Sequence, residues 1–521
     1  MKILIADPIS ERGVELLRAK FQTDVNTGLK EDALLQIIGD YDALVVRSQT
    51  KVTKKVIEAG KKLRVIGRAG VGVDNVDVDA ATRRGIIVMN TPGGNTISTA
   101  EHTFSMLMSL ARKIPQAHGS VKAGKWDRKS FEGVELYNKT LGIIGMGRIG
   151  SEVARRAIAF GMRVLAYDPF LSLSKAKALQ VEVVELDEIY TRSDFISVHV
   201  PMTDQTKGMI NREAIAKMKK GVRLINCARG GLIVEADLLD AINSGKVAGA
   251  ALDVFETEPP KDSPLLGVDS VIMTPHLGAS TTEAQESVGT EVAEQIADVL
   301  TGGTIRNAVN MPTIDAKVVE KLRPVLSFAE TLGRLLAQLA PARLERLTIE
   351  FSGKAADWET NPIQRAILKG LLEKAQGAEV NYVNAPVLAG NLGLRVEEVK
   401  SAESEDYAEL ITIRADGHSV AGTFYGSFNN PRIVRINDMP VEAVPTGVLF
   451  IMRNVDRPGV VGWIGTIMGQ HKINIAGMSL GRDKEGGKAL TVVNLDSAPS
   501  DEVLAEIRAD KDILDVKVAK L

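Results

Sequence analysis

Cysteine is almost absent from this chain: Cys227 stands alone among 521 residues. One thiol cannot build an intrachain disulfide framework, and it suits a reducing compartment. No apolar run is long enough to span a bilayer. The N-terminal Met-Lys-Ile-Leu-Ile-Ala meets Asp7 too soon for a signal-peptide core. Neither sign of charge dominates, with 64 basic and 66 acidic residues and a formal net charge of −2. That balance gives no electrostatic reason to expect nucleic acid or an anionic membrane as partner. Aromatics are scarce, at 4%. These absences lead us to expect a soluble cytoplasmic protein, and the length leads us to expect about three or four domains.

Glycine is plentiful, with 47 residues, and its most informative use is Leu141-Gly-Ile-Ile-Gly-Met-Gly-Arg-Ile-Gly150. The apolar run Leu141–Ile144 reads as a buried strand, and Ser151–Phe160 reads as a helix. Between them lies Gly145-x-Gly147-x-x-Gly150, the strand–turn–helix context that a dinucleotide fingerprint requires. The first glycine permits a tight turn, the second lets a pyrophosphate approach, and the third allows close helix–strand packing. The N–H groups and dipole at the helix start favour the anion. A second strand, Arg163–Tyr167, ends in Asp168. A carboxylate there accepts from ribose hydroxyls and repels a 2′-phosphate, so the expected cofactor is NAD rather than NADP. No metal is expected.

Residues 1–100 alternate strand and helix, which predicts a parallel sheet with helices on both faces. Ligands in such sheets bind beyond the carboxyl ends of strands. Arg47, Ser48, Gly70, Gly72 and Asn90 sit at such ends and suit an anionic substrate. Residues 98–120 read as one long helix, with Glu101 and His102 near its start. Strand–helix repeats continue past Asp168, and Thr282–Leu300 reads as a helix. Near Met311-Pro312 the character changes. Residues 313–445 show helices at Val318–Ala340 and Asn361–Ala375. Strands are expected at Arg346–Phe351, Ala408–Arg414 and Arg432–Ile436, with no catalytic constellation. The last 75 residues follow a βαββαβ plan, that of a ferredoxin-like unit. Its strands include Ile473–Leu480 and Lys488–Leu495, and its lone His471 reads as a surface residue.

Arg229, Glu258 and His276 each follow a strand of the nucleotide region. Oxidising a secondary alcohol by hydride transfer requires a base for the hydroxyl proton, and histidine, with an unperturbed pKa of about 6.5, suits the task. A carboxylate on its other ring nitrogen fixes the tautomer, and Glu258 is the candidate. Arginine clamps a carboxylate bidentately, and Arg229 is the candidate.

Four stretches carry a family resemblance. They are Val198-His-Val-Pro201, Asn226-Cys-Ala-Arg-Gly-Gly231, Ala251-Leu-Asp-Val-Phe255 with Glu258-Pro-Pro260, and Pro275-His-Leu-Gly-Ala-Ser280. Together they resemble the D-isomer-specific 2-hydroxyacid dehydrogenases. Gly67-Arg-Ala-Gly-Val-Gly-Val-Asp-Asn75 and Lys125-Trp-Asp-Arg128 narrow the likeness to long-form members with an intervening domain and a C-terminal ACT domain. The resemblance implies NAD-linked oxidation of 3-phospho-D-glycerate to 3-phosphohydroxypyruvate, the entry to L-serine synthesis. It implies a Rossmann-type nucleotide domain (98–281) inserted in a flavodoxin-like substrate domain (1–97 and 282–312). An α+β intervening domain (313–445) and a ferredoxin-like ACT domain (446–521) follow.

The resemblance also distributes roles. Arg229 takes the substrate carboxylate, and His276 with Glu258 forms the acid/base pair. Arg148 and Ile149 meet the pyrophosphate, Asp168 the ribose, and Val200 lies in the next loop. Cys227, Asp253 and Ala279 lie near the nicotinamide. The backbone at Val71 and Gly72, with Asn90, holds substrate. Arg47 contacts the phosphate, and Arg128 reaches it from a neighbouring subunit, which requires a homo-oligomer, by family habit a tetramer. Asn454, Asp456 and Asn474 match effector positions for L-serine, although Asn454 stands where relatives carry histidine or tyrosine. Two rivals remain open: another 2-hydroxyacid dehydrogenase acting on lactate, glyoxylate or hydroxypyruvate, and a non-enzymatic NAD-sensing scaffold.

Overall fold

Five parallel strands form the first sheet, in the order Gln22–Val25, Lys2–Ile5, Ala43–Val46, Val65–Arg68 and Ile87–Met89. This computed structural model describes the whole chain apart from residues 313–315, 342, 378 and 404–405. The strand order is that of a flavodoxin-like sheet. Strands such as Ala43–Val46 are buried on both faces, as continuous apolar runs predict for parallel sheets. One face is covered by the Glu11–Arg18 helix together with the distant Thr282–Leu300 helix, whose Val288, Val292 and Ile296 share a core with Ile3, Ile5 and Val45. These two helices touch at their backbones: a Cβ on Gly13 would lie 2.5 Å from the Gly289 carbonyl oxygen. The edge strand Gln22–Val25 escaped the sequence reading because Gln-Thr-Asp-Val carries no apolar run.

The second sheet has seven parallel strands, ordered Val271–Met273, Val247–Leu252, Val222–Asn226, Phe195–Val198, Thr140–Ile144, Arg163–Tyr167 and Glu182–Val183. The order turns back at Thr140–Ile144, so the glycine turn sits at the switch point, where ligands bind in such sheets. The helix after it begins at Arg148 rather than Ser151 and runs to Ala159. The single helix expected over 98–120 is instead two, Thr96–Arg112 and Ile114–Lys122, separated by Lys113 at φ 52°. Pro115 explains the break. Its ring would clash with the carbonyl four residues back, and it has no N–H to continue the ladder.

Residues beyond 316 form two further sheets. The first has six strands, ordered Arg395–Ser401, Arg346–Gly353, Glu409–Ala415, His418–Phe424, Pro431–Ile436 and Met439–Ala443. Two long helices, Ala316–Leu339 and Thr360–Gln376, cross at Gly333 and Gly370. A Cβ on Gly333 would lie 2.1 Å from the Ile367 carbonyl oxygen. The C-terminal sheet is antiparallel, ordered Ile475–Arg482, Lys488–Leu495, Val448–Val455 and Ile513–Lys520, the ferredoxin-like arrangement. The strand expected at Ile473–Leu480 thus lies two residues further on. One face of this sheet holds Phe450, Met452 and Val493 against its own helices. The other face, with Leu449, Ile451, Leu490 and Val492, merges with the core of the preceding unit. Among the described residues, no helix is long and apolar enough to cross a membrane.

Candidate active site

The glycine turn has the geometry of a nucleotide cradle. Gly145 adopts φ 97° and donates to Tyr167 O at 2.9 Å. A Cβ at Gly150 would stand 2.1 Å from the Gly145 carbonyl oxygen, whereas one at Gly147 would meet nothing within 4 Å. Gly147 therefore leaves an open approach, and Gly150 permits the close packing. Asp168 accepts from Met146 N and Phe170 N, each at 2.8 Å. The carboxylate thus holds the turn and keeps lone pairs free for hydroxyl donors. Val200 packs against the turn, its Cγ1 2.9 Å from where a Gly145 Cβ would be. Arg148 is exposed at the helix start, with Ile149 beside it half-buried. Open cradle, helix N-terminus and acidic strand end together fit a dinucleotide.

His276 and Glu258 meet at the mouth of this sheet. The histidine Nδ1 lies 2.8 Å from Glu258 Oε2, and Glu258 Oε1 accepts from Phe255 N at 3.2 Å. The hydrogen bond from Glu258 raises the His276 pKa above its ordinary value. Burial opposes it, the charges of Glu258 and Asp253 add to it, and Arg229 subtracts. These influences place all three expected catalytic side chains in one neighbourhood. Arg229 donates from Nε to Asp74 Oδ2 at 3.0 Å and from Nη1 to Ala228 O at 2.7 Å. Its Nη2 would lie 1.9 Å from a Cβ on Gly72, so the guanidinium rests directly on the glycine-rich loop.

The opposite wall comes from the first sheet. Asn90 donates to Val71 O at 2.6 Å and fixes the glycine-rich loop. Arg47 N donates to Asp7 Oδ2 at 2.6 Å, and its Nη1 to Pro8 O at 3.3 Å. Ser48 is exposed beside it. Arg68, not singled out from the sequence, is the informative addition. Burial pulls its pKa down to about 10, the positive charges of Arg229 and Arg47 add to this, and Asp74 and Asp7 oppose it. Its Nε is buried with no hydrogen-bond partner among the described residues. Arg47, Arg68 and Arg229 thus lie close enough to repel one another, and a guanidinium with an unpaired Nε suits an anion. Its only sequence signal was its place at a strand end, inside the Gly67–Asn75 run. Arg128 lies elsewhere, exposed on the segment after Lys122, and among the described residues no ion pair joins it to this cleft.

Three expected cofactor positions have other partners in the fold. The Cys227 thiol is buried, which pushes its pKa up to about 12, so it is an inert core group. Asp253 is fully buried. It accepts from Thr274 Oγ1 at 2.6 Å, Leu277 N at 2.7 Å and Gly278 N at 2.8 Å. The Ala279 carbonyl accepts from Gln285 at 2.6 Å. In the C-terminal unit, Asn454 is buried and donates to Val455 O at 2.8 Å. Asp456 accepts from Arg482 at 3.1 Å, and Asn474 donates to Asp496 at 2.7 Å. His471 is an exposed residue bonded to Glu506 at 3.0 Å.

Comparison with known proteins bears on the whole chain. Residues 104–278 match the NAD binding domain of D-isomer specific 2-hydroxyacid dehydrogenases, 321–437 the D-3-phosphoglycerate dehydrogenase intervening domain, and 448–512 the ACT domain. The chain is 47% identical to D-3-phosphoglycerate dehydrogenase of Methanocaldococcus jannaschii, over all of both chains. The chain belongs to the D-3-phosphoglycerate dehydrogenase family. The family's Bacillus subtilis member is 44% identical over all of this chain and 99% of its own. Solved structures match about three-fifths of the chain. D-lactate dehydrogenase from Aquifex aeolicus, complexed with NAD and lactic acid, covers 58% of this chain and 96% of its own, at 31% identity and TM-score 0.53. A glyoxylate reductase from Paecilomyes thermophila covers 59% and 97%, at 32% identity and TM-score 0.56.

Proposed function

We propose that this protein oxidises 3-phospho-D-glycerate to 3-phosphohydroxypyruvate with NAD, and so feeds L-serine synthesis. The observation that carries this reading is the His276–Glu258 pair facing Arg229 across a cleft that also holds Arg47 and Arg68. Bound NAD supplies the hydride acceptor. Neutral His276 takes the hydroxyl proton, and Glu258 stabilises the imidazolium that results. In the reverse direction the same imidazolium returns the proton. Arg229 leaves Asp74 to clamp the substrate carboxylate. Arg47 and Arg68 hold the phosphate, with Ser48 beside them, while Asn90 and the backbone of Val71 and Gly72 orient the carbon chain. Arg148, Ile149 and the turn glycines take the pyrophosphate, Asp168 the ribose, and Val200, the strand end at Cys227 and the loop to Ala279 flank the nicotinamide.

Arg128 completes the phosphate site from a second subunit of a cytoplasmic homotetramer. Supporting an oligomer, the Ile114–Lys122 helix buries none of its residues. Ile114 and Val121 on it and Trp126 just after it are exposed, an apolar surface that calls for a partner. L-serine is the effector we assign to the neighbourhood of Asn454, Asp456 and Asn474. The merged core between the last two units gives such binding a mechanical route. Purified protein given 3-phosphoglycerate and NAD at alkaline pH should produce NADH, faster than with lactate or glycerate, and L-serine should slow it. No NADH would leave the scaffold reading standing; equal rates on unphosphorylated acids would remove the phosphate assignment.

A further inference from the structure

The catalytic histidine sits in a conformation that L-residues avoid: His276 has φ 56°. A loop held there needs external bonds, and four of them run to Asp253. Its carbonyl accepts from His276 N at 3.0 Å. Its carboxylate gathers the N–H groups of Leu277 and Gly278 and the hydroxyl of Thr274. A further contact comes from outside the second sheet's strand ends. His102, on the Thr96–Arg112 helix, places Nε2 3.1 Å from both Asp253 Oδ1 and Thr274 Oγ1. The Thr274 proton is already given to Asp253, so Nε2 must carry the hydrogen in this contact. One turn earlier, Thr99 donates to Gly278 O at 3.1 Å. The same helix follows directly on the Asn90 loop, so it links the substrate wall to the loop that bears the base.

We propose that His102 is a positioning residue for the oxidation: by donating from Nε2 to the Asp253–Thr274 pair, it fixes the Thr274–Gly278 loop and hence His276. The proposal rests on the reading of His276 as the base. It assigns His102 no contact with substrate.

The test compares His102→Ala, which removes the donor, with His102→Gln, whose amide nitrogen reaches the position of Nε2. A one-ångström displacement of a reacting group can cost about a hundredfold in rate. His102→Ala should therefore lower kcat about tenfold or more, with KM for both substrates within about twofold. The isotope effect with 2-deuterated substrate should rise as the chemical step becomes limiting. His102→Gln should recover most of the rate. Independently of turnover, amide exchange at Leu277 and Gly278 should quicken in His102→Ala and stay near wild type in His102→Gln, with other segments unchanged. Should His102→Ala not fold, His102→Asn, whose amide falls short of the pair, takes its place. Equal rates in wild type and His102→Ala, equal losses in Ala and Gln, or unaltered exchange at Leu277 and Gly278 would each overturn the proposal. A wild type inactive on phosphoglycerate would instead sink the proposed function, and the exchange comparison would still decide the role of His102.

Discussion

Arg229, after one strand of the second sheet, and Asp74, after a strand of the first, meet across the cleft at 3.0 Å. On the proposed reading the substrate carboxylate takes this guanidinium, so substrate must displace Asp74. Asp74 is largely exposed, and exposed pairs contribute only about 0.2–1 kcal/mol. Asp74→Asn should therefore lower KM for the hydroxy acid by up to about fivefold and leave kcat unchanged. Steady-state kinetics with saturating NAD measures this; a raised KM would make Asp74 part of the substrate site.

The His276–Glu258 bond gives a pH prediction with a definite sign. The histidine pKa is raised by Glu258, and oxidation needs the neutral ring, so kcat/KM should climb as pH rises through that elevated value. Glu258→Gln removes the raising influence and should move the acid limb to lower pH. His276→Asn should cut kcat on the order of 10²–10⁴-fold with NAD binding retained. Stability follows the same linkage in the opposite sense. The pair contributes fully below the unfolded pKa of about 6.5, and its contribution is lost as pH rises through the folded value. Thermal melts of wild type and Glu258→Gln should converge at alkaline pH.

What could be read from the sequence follows from which interactions are local. The Gly145–Gly150 turn and its flanking strands declare themselves because apolar runs, glycines and Asp168 lie within one short segment. His276, Glu258 and Arg229 were recoverable because each ends a strand, and strand ends converge in a parallel sheet. Arg68 was hidden because its meaning lies in burial: no spacing rule reveals that its Nε has no partner. The exposed Arg395–Ser401 strand and the core-poor Gln22–Val25 strand were missed because long-range pairing, not their own pattern, makes them strands. Pro115 was a local signal for the helix break at Lys113 that the single-helix reading of 98–120 did not use.

The proposed phosphate role of Arg68 predicts a split between phosphorylated and plain substrates. A hydrogen bond to a charged group contributes about 1.5–3 kcal/mol, which corresponds to about ten- to a hundredfold in affinity. Arg68→Ala should raise KM for 3-phosphoglycerate by about that factor and KM for an unphosphorylated hydroxy acid far less. Arg47→Ala should show the same asymmetry. Parallel kinetics on both acids checks it, and equal losses would place Arg68 on the carboxylate instead.

Asp168 does two jobs that can be pulled apart. Its carboxylate accepts from Met146 N within the glycine turn, and on the proposed reading its charge repels a 2′-phosphate at the ribose. Asp168→Ala removes both. The orphaned N–H should destabilise the protein by about 1–3 kcal/mol, and KM for NAD should rise about tenfold. Asp168→Asn keeps an acceptor oxygen for Met146 N, leaves the exposed Phe170 N to water, and removes the charge. It should melt near the wild-type temperature while the preference for NAD over NADP narrows. Calorimetry beside cofactor kinetics on the two variants separates the roles. If Asp168→Asn still rejects NADP as strongly as wild type, the discrimination comes from the shape of the ribose pocket and not from its charge.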